Sequence, residues 1–472
     1  MSTTVRATAA QPSDRLEPAV IRIGVVLVLG TILAVLDSTV VNVGIEAIRS
    51  DFGSSLATVQ WISTGYLLAF ALVAPISGWA TNRFGAKQVW MASVACFVLA
   101  SALCGLAWSA TSLIVFRVLQ GLGGGLIQPI GQSMIAQAAG PQRIGRVMSL
   151  LIIPLTFAPA LGPGIGGVLI GLLSWQWIFY VNVPLGALTL LLAAWVLPRS
   201  TPEGGQKLDV LGLLLISPGL AALVYGFAET GNGHGFADTV VHAPVAIGAL
   251  LLIAYAVHAL RPGAAPVLDL RLFARRAFSN AVLTSFLVGA ALFSSMFMLP
   301  LYYQQARGQD ALHAGLLLIP QDLGIAVAMF FAGRLTGRLG LRTVILVGVA
   351  LSMAGTLAYT QAGEAPSELL LAIGLFVRGL GLGAAMSPMI TAVFQSVEPH
   401  QMPQAAGINN VVHRIGGSLG TATLVIVLQH QIARQHSGGS VADSFGTAFW
   451  WALAISVLTL IPALALPGRA RD

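Results

Sequence analysis

Five ionisable residues stand inside stretches too apolar to face water: Asp37 and Asp322, with Arg117, Arg378 and Arg414. A charge in hydrocarbon costs roughly 2.5–3.5 kcal/mol on insertion scales, so each needs a partner or a function. Desolvation raises the proton affinity of a buried carboxylate, and a neighbouring guanidinium lowers it. An acid held between these effects can bind and release a proton as its access to water or to a cationic ligand changes. A structural ion pair that fixes helix register is the competing reading, and residue type alone leaves both open. His413 beside Arg414 offers a proton relay, but neighbours on a helix face different directions.

Other chemistries have no footing. The chain has no G-x-x-x-x-G-K-[ST] loop for nucleotide phosphates, no H-E-x-x-H zinc motif and no G-x-S-x-G nucleophile turn. ATP-driven work and enzymatic activity are not expected, nor is a cofactor or a metal. The glycine string Gly121 to Gly125 lies inside an apolar segment and cannot cradle a dinucleotide. Cys96 and Cys104 share one apolar stretch and read as packing residues. The net charge of +7 would suggest nucleic acid in a soluble protein, but only 9% of residues are charged. That density is too low for a phosphate-binding face.

The elements that position these residues follow from composition. Hydrophobic residues make up 56% of the 472, and a soluble domain carries roughly 25% charged residues. The chain is expected to be a polytopic membrane protein. Mostly apolar windows of about 20 residues, enough to cross ~30 Å of hydrocarbon, fall near 21–43, 58–79, 88–107, 111–134, 145–170, 177–197 and 208–228. A second set falls near 243–261, 278–303, 311–331, 342–361, 367–393, 404–428 and 444–466. The thirteenth is the most polar, with Asn409, Asn410, His413 and Arg414. The first is too long for the apolar region of a cleaved signal and reads as a retained span. With both termini cytoplasmic, inner segments hold 18 of the 24 basic residues and outer loops only Arg49, Arg307 and Arg434. The positive-inside rule therefore supports fourteen spans in this orientation.

An internal repeat divides them. Gly78-Trp-Ala-Thr-Asn82-Arg83-Phe-Gly85-Ala-Lys87 follows span two, and Gly333-Arg-Leu-Thr-Gly337-Arg338-Leu-Gly340-Leu-Arg342 follows span ten, at an offset of 255 residues (333 − 78). Arg117-Val-Leu-Gln-Gly121 in span four is matched by Arg378-Gly379-Leu-Gly381 in span twelve, at an offset of 261 (378 − 117). The expected organisation is a cytoplasmic tail (1–20), a six-helix bundle (21–197), an inserted helix pair (198–262), a second six-helix bundle (263–466) and a short tail (467–472).

Spacing assigns mechanical roles. Gly78 allows close helix contact, Gly85 permits a turn, and Arg83 and Lys87 can hold carboxylates, helix C-termini or lipid head groups. In span five, Gly162, Pro163, Gly164, Gly166 and Gly167 fall within two helical turns, which makes a bend or a thin packing face. Gly121 with Gly125, Gly379 with Gly383 and Gly416 with Gly420 repeat a four-residue spacing. At about 1.5 Å per residue, Asp37 and Arg117 both lie ~9 Å below the outer face, while Asp322 and Arg378 both lie near the midplane. Pairing of Asp37 with Arg117, and of Asp322 with Arg378, is expected. Apolar and aromatic walls with polar anchors for a substrate cavity are offered by Trp61, Tyr66, Gln128, Gln132, Phe293, Met296, Met298, Tyr302 and Tyr303.

Several of these motifs, in order and over nearly the whole chain, resemble the major facilitator superfamily, and within it the fourteen-span drug:proton antiporters. Gly78 to Lys87 resembles the loop-two motif, Arg117 to Gly125 the fourth-span motif, and Gly162-Pro163 to Gly167 the fifth-span motif of antiporters. Leu36-Asp37-Ser38-Thr39-Val-Val-Asn42 and Trp177-Ile-Phe-Tyr-Val-Asn182-Val-Pro184 resemble signatures of the fourteen-span drug exporters. Asn82 departs from the usual aspartate of the loop-two motif, and Gln176 from an arginine common between the two tryptophans. The resemblance implies an all-α integral membrane protein of major facilitator fold, with two six-helix bundles and two additional central helices. It implies proton-coupled export of a small amphipathic drug, antibiotic or metabolite by alternating access in the cytoplasmic membrane of a bacterial-type cell. A specific exporter or symporter of a polar metabolite is the nearest alternative. A non-transporting sensor of the same fold is another.

Overall fold

The computed structural model describes residues 17–140, 143, 147, 162, 165–199, 202, 208–231, 238–261, 266–309, 311–361, 367–434 and 441–466. Among the described residues regular structure is entirely helical, and thirteen helices are long and apolar enough to cross a membrane. They correspond to every expected window but the fifth, most of which lies outside the described residues together with Pro163 and Gly164. Span one runs Pro18–Phe52, span three Ala86–Gly105, span four Ala110–Ala139 and span six Asn182–Val196. Span two is Leu56–Val73, continued by a 3-10 turn at Ala74–Ile76 into Ser77–Phe84. Spans seven to ten are Val210–Gly231, Thr239–Ala259, Arg276–Leu301 and Ala311–Leu339. Spans eleven to fourteen are Leu341–Thr360, Glu368–Gln395, Met402–Arg434 and Val441–Leu464.

Span one outlasts its apolar window; Arg49 pairs with Glu46 one turn away in the extension, and Gly53 (φ +58°) ends it. The repeated loops use one device twice. Gly85 and Gly340 take φ of +89° and +86°, conformations open to glycine at little cost, and donate their N–H to Thr81 and Thr336 at 2.8 and 2.9 Å. Lys87 then hydrogen-bonds the carbonyls of Ala194 and Leu197, at 2.7 and 2.8 Å, and so caps the C-terminus of span six. This end of the bundle also holds Arg143 on Glu17 (3.0 Å), Arg83 and Arg275, and is called the basic end below.

Small residues set the packing within each half. A Cβ on Gly121 or Gly125 would strike the carbonyls of Tyr66 and Phe70, so spans four and two touch backbone to backbone. Span twelve meets span ten identically, through Gly379 on Gln321 and Gly383 on Ile325. Gly123 and Gly381, between these pairs, face spans three and eleven. Gly416 and Gly420 bring span thirteen against Phe286 and Ala290 of span nine. Span seven packs on spans two and thirteen, and so touches both halves, while span eight packs on span seven. Trp61 stacks on Tyr225 across the first of these contacts, with ring centroids 6.0 Å apart.

Candidate functional site

Asp37 sits at the meeting point of spans one, four and six, 1% exposed. Arg117, equally buried, forms an ion pair with Oδ2. Oδ1 accepts from Gln120 Nε2 and Asn182 Nδ2, both at 2.9 Å. Arg117 also donates to Gln120 Oε1 (2.7 Å) and to the Ile62 carbonyl (3.2 Å). Its guanidinium lies 4.1 Å from the centroid of Tyr66 and 5.8 Å from that of Phe179. Asn182 continues through Ser101 (3.1 Å) to the Phe179 carbonyl, at 3.0 Å from the serine hydroxyl. Every oxygen of the carboxylate is thus satisfied by a donor from another helix, the condition for burying a charge in a low-dielectric interior. Sequence depth brings Asp37 and Arg117 to one level, but it did not name Gln120 and Asn182 as partners. Gln120 carried a signal, since it lies one turn from Arg117 on the same face.

The second expected pair is corrected. Arg378 is buried, but its acceptors are Gln321 Oε1 (2.8 Å), Thr356 Oγ1 (2.9 Å), the Ala291 carbonyl (3.2 Å) and Ser295 Oγ. Asp322 has no hydrogen-bond or ion-pair partner among the described residues. The reason is helical rotation: one residue turns a side chain by about 100°. The close contact at Gly379 aims Gln321 at span twelve and leaves Asp322, only partly buried, beside it. Matching depth therefore selected the right turn of helix and the wrong residue.

The most polar window, span thirteen, is one unbroken helix because each polar face meets a different neighbour. His413 Nδ1 lies 2.9 Å from the Ser285 carbonyl, an acceptor-only oxygen that selects the Nδ1–H tautomer, and its ring packs on Phe293. Asn410 donates to Gln132 Oε1 of span four at 2.9 Å, a bond between the two halves. Arg414 covers the Phe70 ring at 4.2 Å, a second link between halves. These contacts border a narrow cleft between spans two, four, seven and thirteen, with a cavity volume of only about 20 Å³.

None of the cavity residues expected from the sequence, Trp61, Tyr66, Gln128, Phe293 and Tyr303, lines that cleft. Trp61 is 45% exposed and faces span seven. Tyr66 lies under Arg117 and donates to the Ala34 carbonyl at 3.2 Å. Tyr303 is buried, with its hydroxyl 2.8 Å from that of Tyr359, inside an aromatic cluster that includes Tyr302, Phe445 and Phe449. Gln132 borders the cleft only through its bond to Asn410.

The halves close on each other at the basic end. A Cβ on Gly78 would lie 2.7 Å from Gln404 Cγ and 3.2 Å from Gln404 Cα, so a branched side chain cannot fit without separating spans two and thirteen. Gly78→Val is expected to part the two spans and lengthen spin-label distances between positions 83 and 398. Unchanged distances would remove Gly78 from this contact. Gly162 and Gly166 pack on Thr39 and Val40 of span one, whereas an added Cβ on Gly167 meets nothing within 4 Å among the described residues. Asn82 is partly buried and Arg83 exposed.

Comparison with known proteins agrees with this architecture. The chain is 40% identical, over 420 residues covering 89% of it and 78% of the relative, to a "Multidrug resistance protein B homolog" of Mycobacterium tuberculosis. It is 31% identical over 455 residues, 95% of both chains, to the "Methylenomycin A resistance protein" of Streptomyces coelicolor. In three dimensions it resembles the human organic anion transporter MFSD10 (TETRAN), with a TM-score of 0.68 at 14% identity over 95% of this chain and 100% of that one. That likeness concerns the fold alone. A profile of the Major Facilitator Superfamily matches residues 27–421, and the chain is a multi-pass, non-enzymatic membrane transporter belonging to that superfamily.

Proposed function

We propose that this transporter is a proton-coupled exporter that exchanges amphipathic drugs, antibiotics or related metabolites for protons. The buried Asp37–Arg117 pair carries the reading. Family membership and the resistance names of its relatives support export of such compounds. Protonation of Asp37 removes the acceptor on Oδ2 and frees Arg117, which keeps Ile62, Gln120 and two aromatic faces as alternative partners. Spans one, four and six then lose the charge that joins them, so proton binding and helix arrangement are linked. Neutral pairs elsewhere need no such exchange.

The 18-to-3 bias of basic residues supports a cytoplasmic location for the basic end and both termini. In that orientation the Gly78–Gln404 and Asn410–Gln132 contacts close the cytoplasmic side. This conformation is then the outward-facing one, and transport requires these contacts to part. The seventh span, in touch with both halves, moves against one of them at each cycle.

The test uses purified protein in liposomes, with an imposed proton gradient and a fluorescent amphiphilic dye. Dye movement against its concentration gradient, abolished by an uncoupler and matched by proton flux when the dye gradient drives, is expected. Dye movement indifferent to the proton gradient would sink the coupling and leave a uniporter.

A further inference from the structure

The two carboxylate oxygens of Asp37 stand in different surroundings. Oδ2 faces the guanidinium of Arg117. Oδ1 accepts from two amides, Gln120 Nε2 and Asn182 Nδ2, each at 2.9 Å. An amide can present either its nitrogen or its oxygen, and both of these are oriented by a group that has no choice. Gln120 Oε1 lies 2.7 Å from Arg117 Nη1, which only donates, so the Gln120 nitrogen is the end turned to Asp37. Ser101 gives its single hydroxyl proton to the Phe179 carbonyl at 3.0 Å. The serine oxygen is then left to accept, and it accepts from Asn182 Nδ2 at 3.1 Å. Asn182 and Ser101 are 4% and 0% exposed, so this chain of donors is closed off from solvent.

We propose that Asn182, held in orientation by Ser101, is a positioning residue that reserves Oδ1 for hydrogen bonds and makes Oδ2 the atom that takes the proton. The proposal rests on the coupling reading above and adds the oxygen that is protonated and the helix that responds. A carboxylate oxygen has about two lone-pair sites, and on Oδ1 both are occupied by amide donors. On Oδ2 only Arg117 donates among the described residues, and its Nη1 already has Gln120 Oε1 as a second acceptor. A proton on Oδ2 adds one positive charge to the pair and leaves Oδ1 as the carbonyl oxygen of a neutral carboxyl. The two amide bonds then lose the charge assistance that makes such bonds roughly twice as strong as neutral ones. Asn182 opens span six, whose other end is capped by Lys87 on the carbonyls of Ala194 and Leu197. Protonation therefore loosens one end of span six from span one while the other end stays tied.

The test is infrared difference spectroscopy of the full chain in nanodiscs during an acid titration, which needs no transport. The C=O stretch of protonated Asp37 is the band missing from the variant that combines Asp37→Asn with Arg117→Gln. Its wavenumber falls with each hydrogen bond to the carbonyl oxygen, so it reports which oxygen carries the proton. Asn182→Leu keeps the volume and removes the donor. It is expected to move the band to higher wavenumber and its titration midpoint up by about one pH unit, a tenfold change in proton affinity. Ser101→Ala leaves Asn182 in place but frees its amide to turn, and is expected to move both readings the same way by less. Wild-type band and midpoint in both variants would make Asn182 a structural contact and overturn the proposal. A moved midpoint with an unmoved band would put the proton on Oδ1 and overturn it as well. A wild type with no titrating Asp37 band would sink this assignment and the coupling reading together. If the shifts appear while dye transport ignores a proton gradient, the coupling reading fails alone and the assignment of Oδ2 stands.

Discussion

Asp37→Asn is expected to reduce gradient-driven dye export to the level of empty liposomes and to destabilise the protein. Breaking a buried ion pair by removing one partner typically costs about 3–5 kcal/mol, because the remaining charge is left uncompensated. Arg117 is 1% exposed and has no second carboxylate within reach among the described residues, so it belongs to that case. The substitution therefore mixes two effects, lost coupling and lost stability, and a second variant separates them. Asp37→Asn combined with Arg117→Gln replaces the ion pair by amides, which the surrounding Gln120, Asn182 and Ile62 groups can serve. The double variant is expected to recover most of the thermal stability while transport stays absent. If the double variant regains both stability and proton-driven export, Asp37 is a structural charge and the coupling site lies elsewhere. Asp322, without a partner among the described residues, would then be the acid to replace.

The second large effect is expected from glycine. Gly121→Val with Gly125→Val puts branched side chains where span two's carbonyls stand, since a bare Cβ at Gly125 already meets the Phe70 carbonyl at 2.5 Å. Overpacking a well-packed site costs typically about 1–3 kcal/mol, occasionally more, and here the obstacle is backbone rather than a side chain that can turn away. Folded yield, read by monodisperse elution in detergent, is expected to fall at least tenfold. Gly379→Val with Gly383→Val should do the same in the other half, against Gln321 and Ile325. Gly167→Val is the control, because nothing among the described residues lies within 4 Å of its added carbon, and it should elute like wild type. Equal yields for all three would show that the four-residue spacing has no packing role.

The sequence carried the skeleton. Hydropathy placed thirteen spans that the described helices reproduce, and the residues around the two loops announced a duplication that recurs in detail. Gly85 and Gly340 show why: a left-handed φ after an amphipathic turn is a local requirement, met by residue type alone. The small-residue spacing was equally legible, because backbone contact between membrane helices needs glycine at i and i+4 whatever the partner. Depth along a helix is also a linear property, which is how Asp37 and Arg117 could be matched.

What only the tertiary structure decided is azimuth, the direction a side chain leaves its helix. Spans that are apolar all round carry little amphipathic signal, so the linear sequence does not say which face meets which neighbour. For that reason Gln321 rather than Asp322 reaches Arg378, and the aromatic residues read as cavity walls lie in a cluster, under Arg117 or beside span seven. Gln120 and Asn182 join Asp37 from helices far apart in the chain. The cleft itself belongs to four spans from both halves and the inserted pair. The sequence determined which charges are buried and how deep each one lies; the packing of glycine faces fixed the rotation of the helices, and with it which charges are paired and which, Asp322 and Arg414, have no ion-pair partner among the described residues.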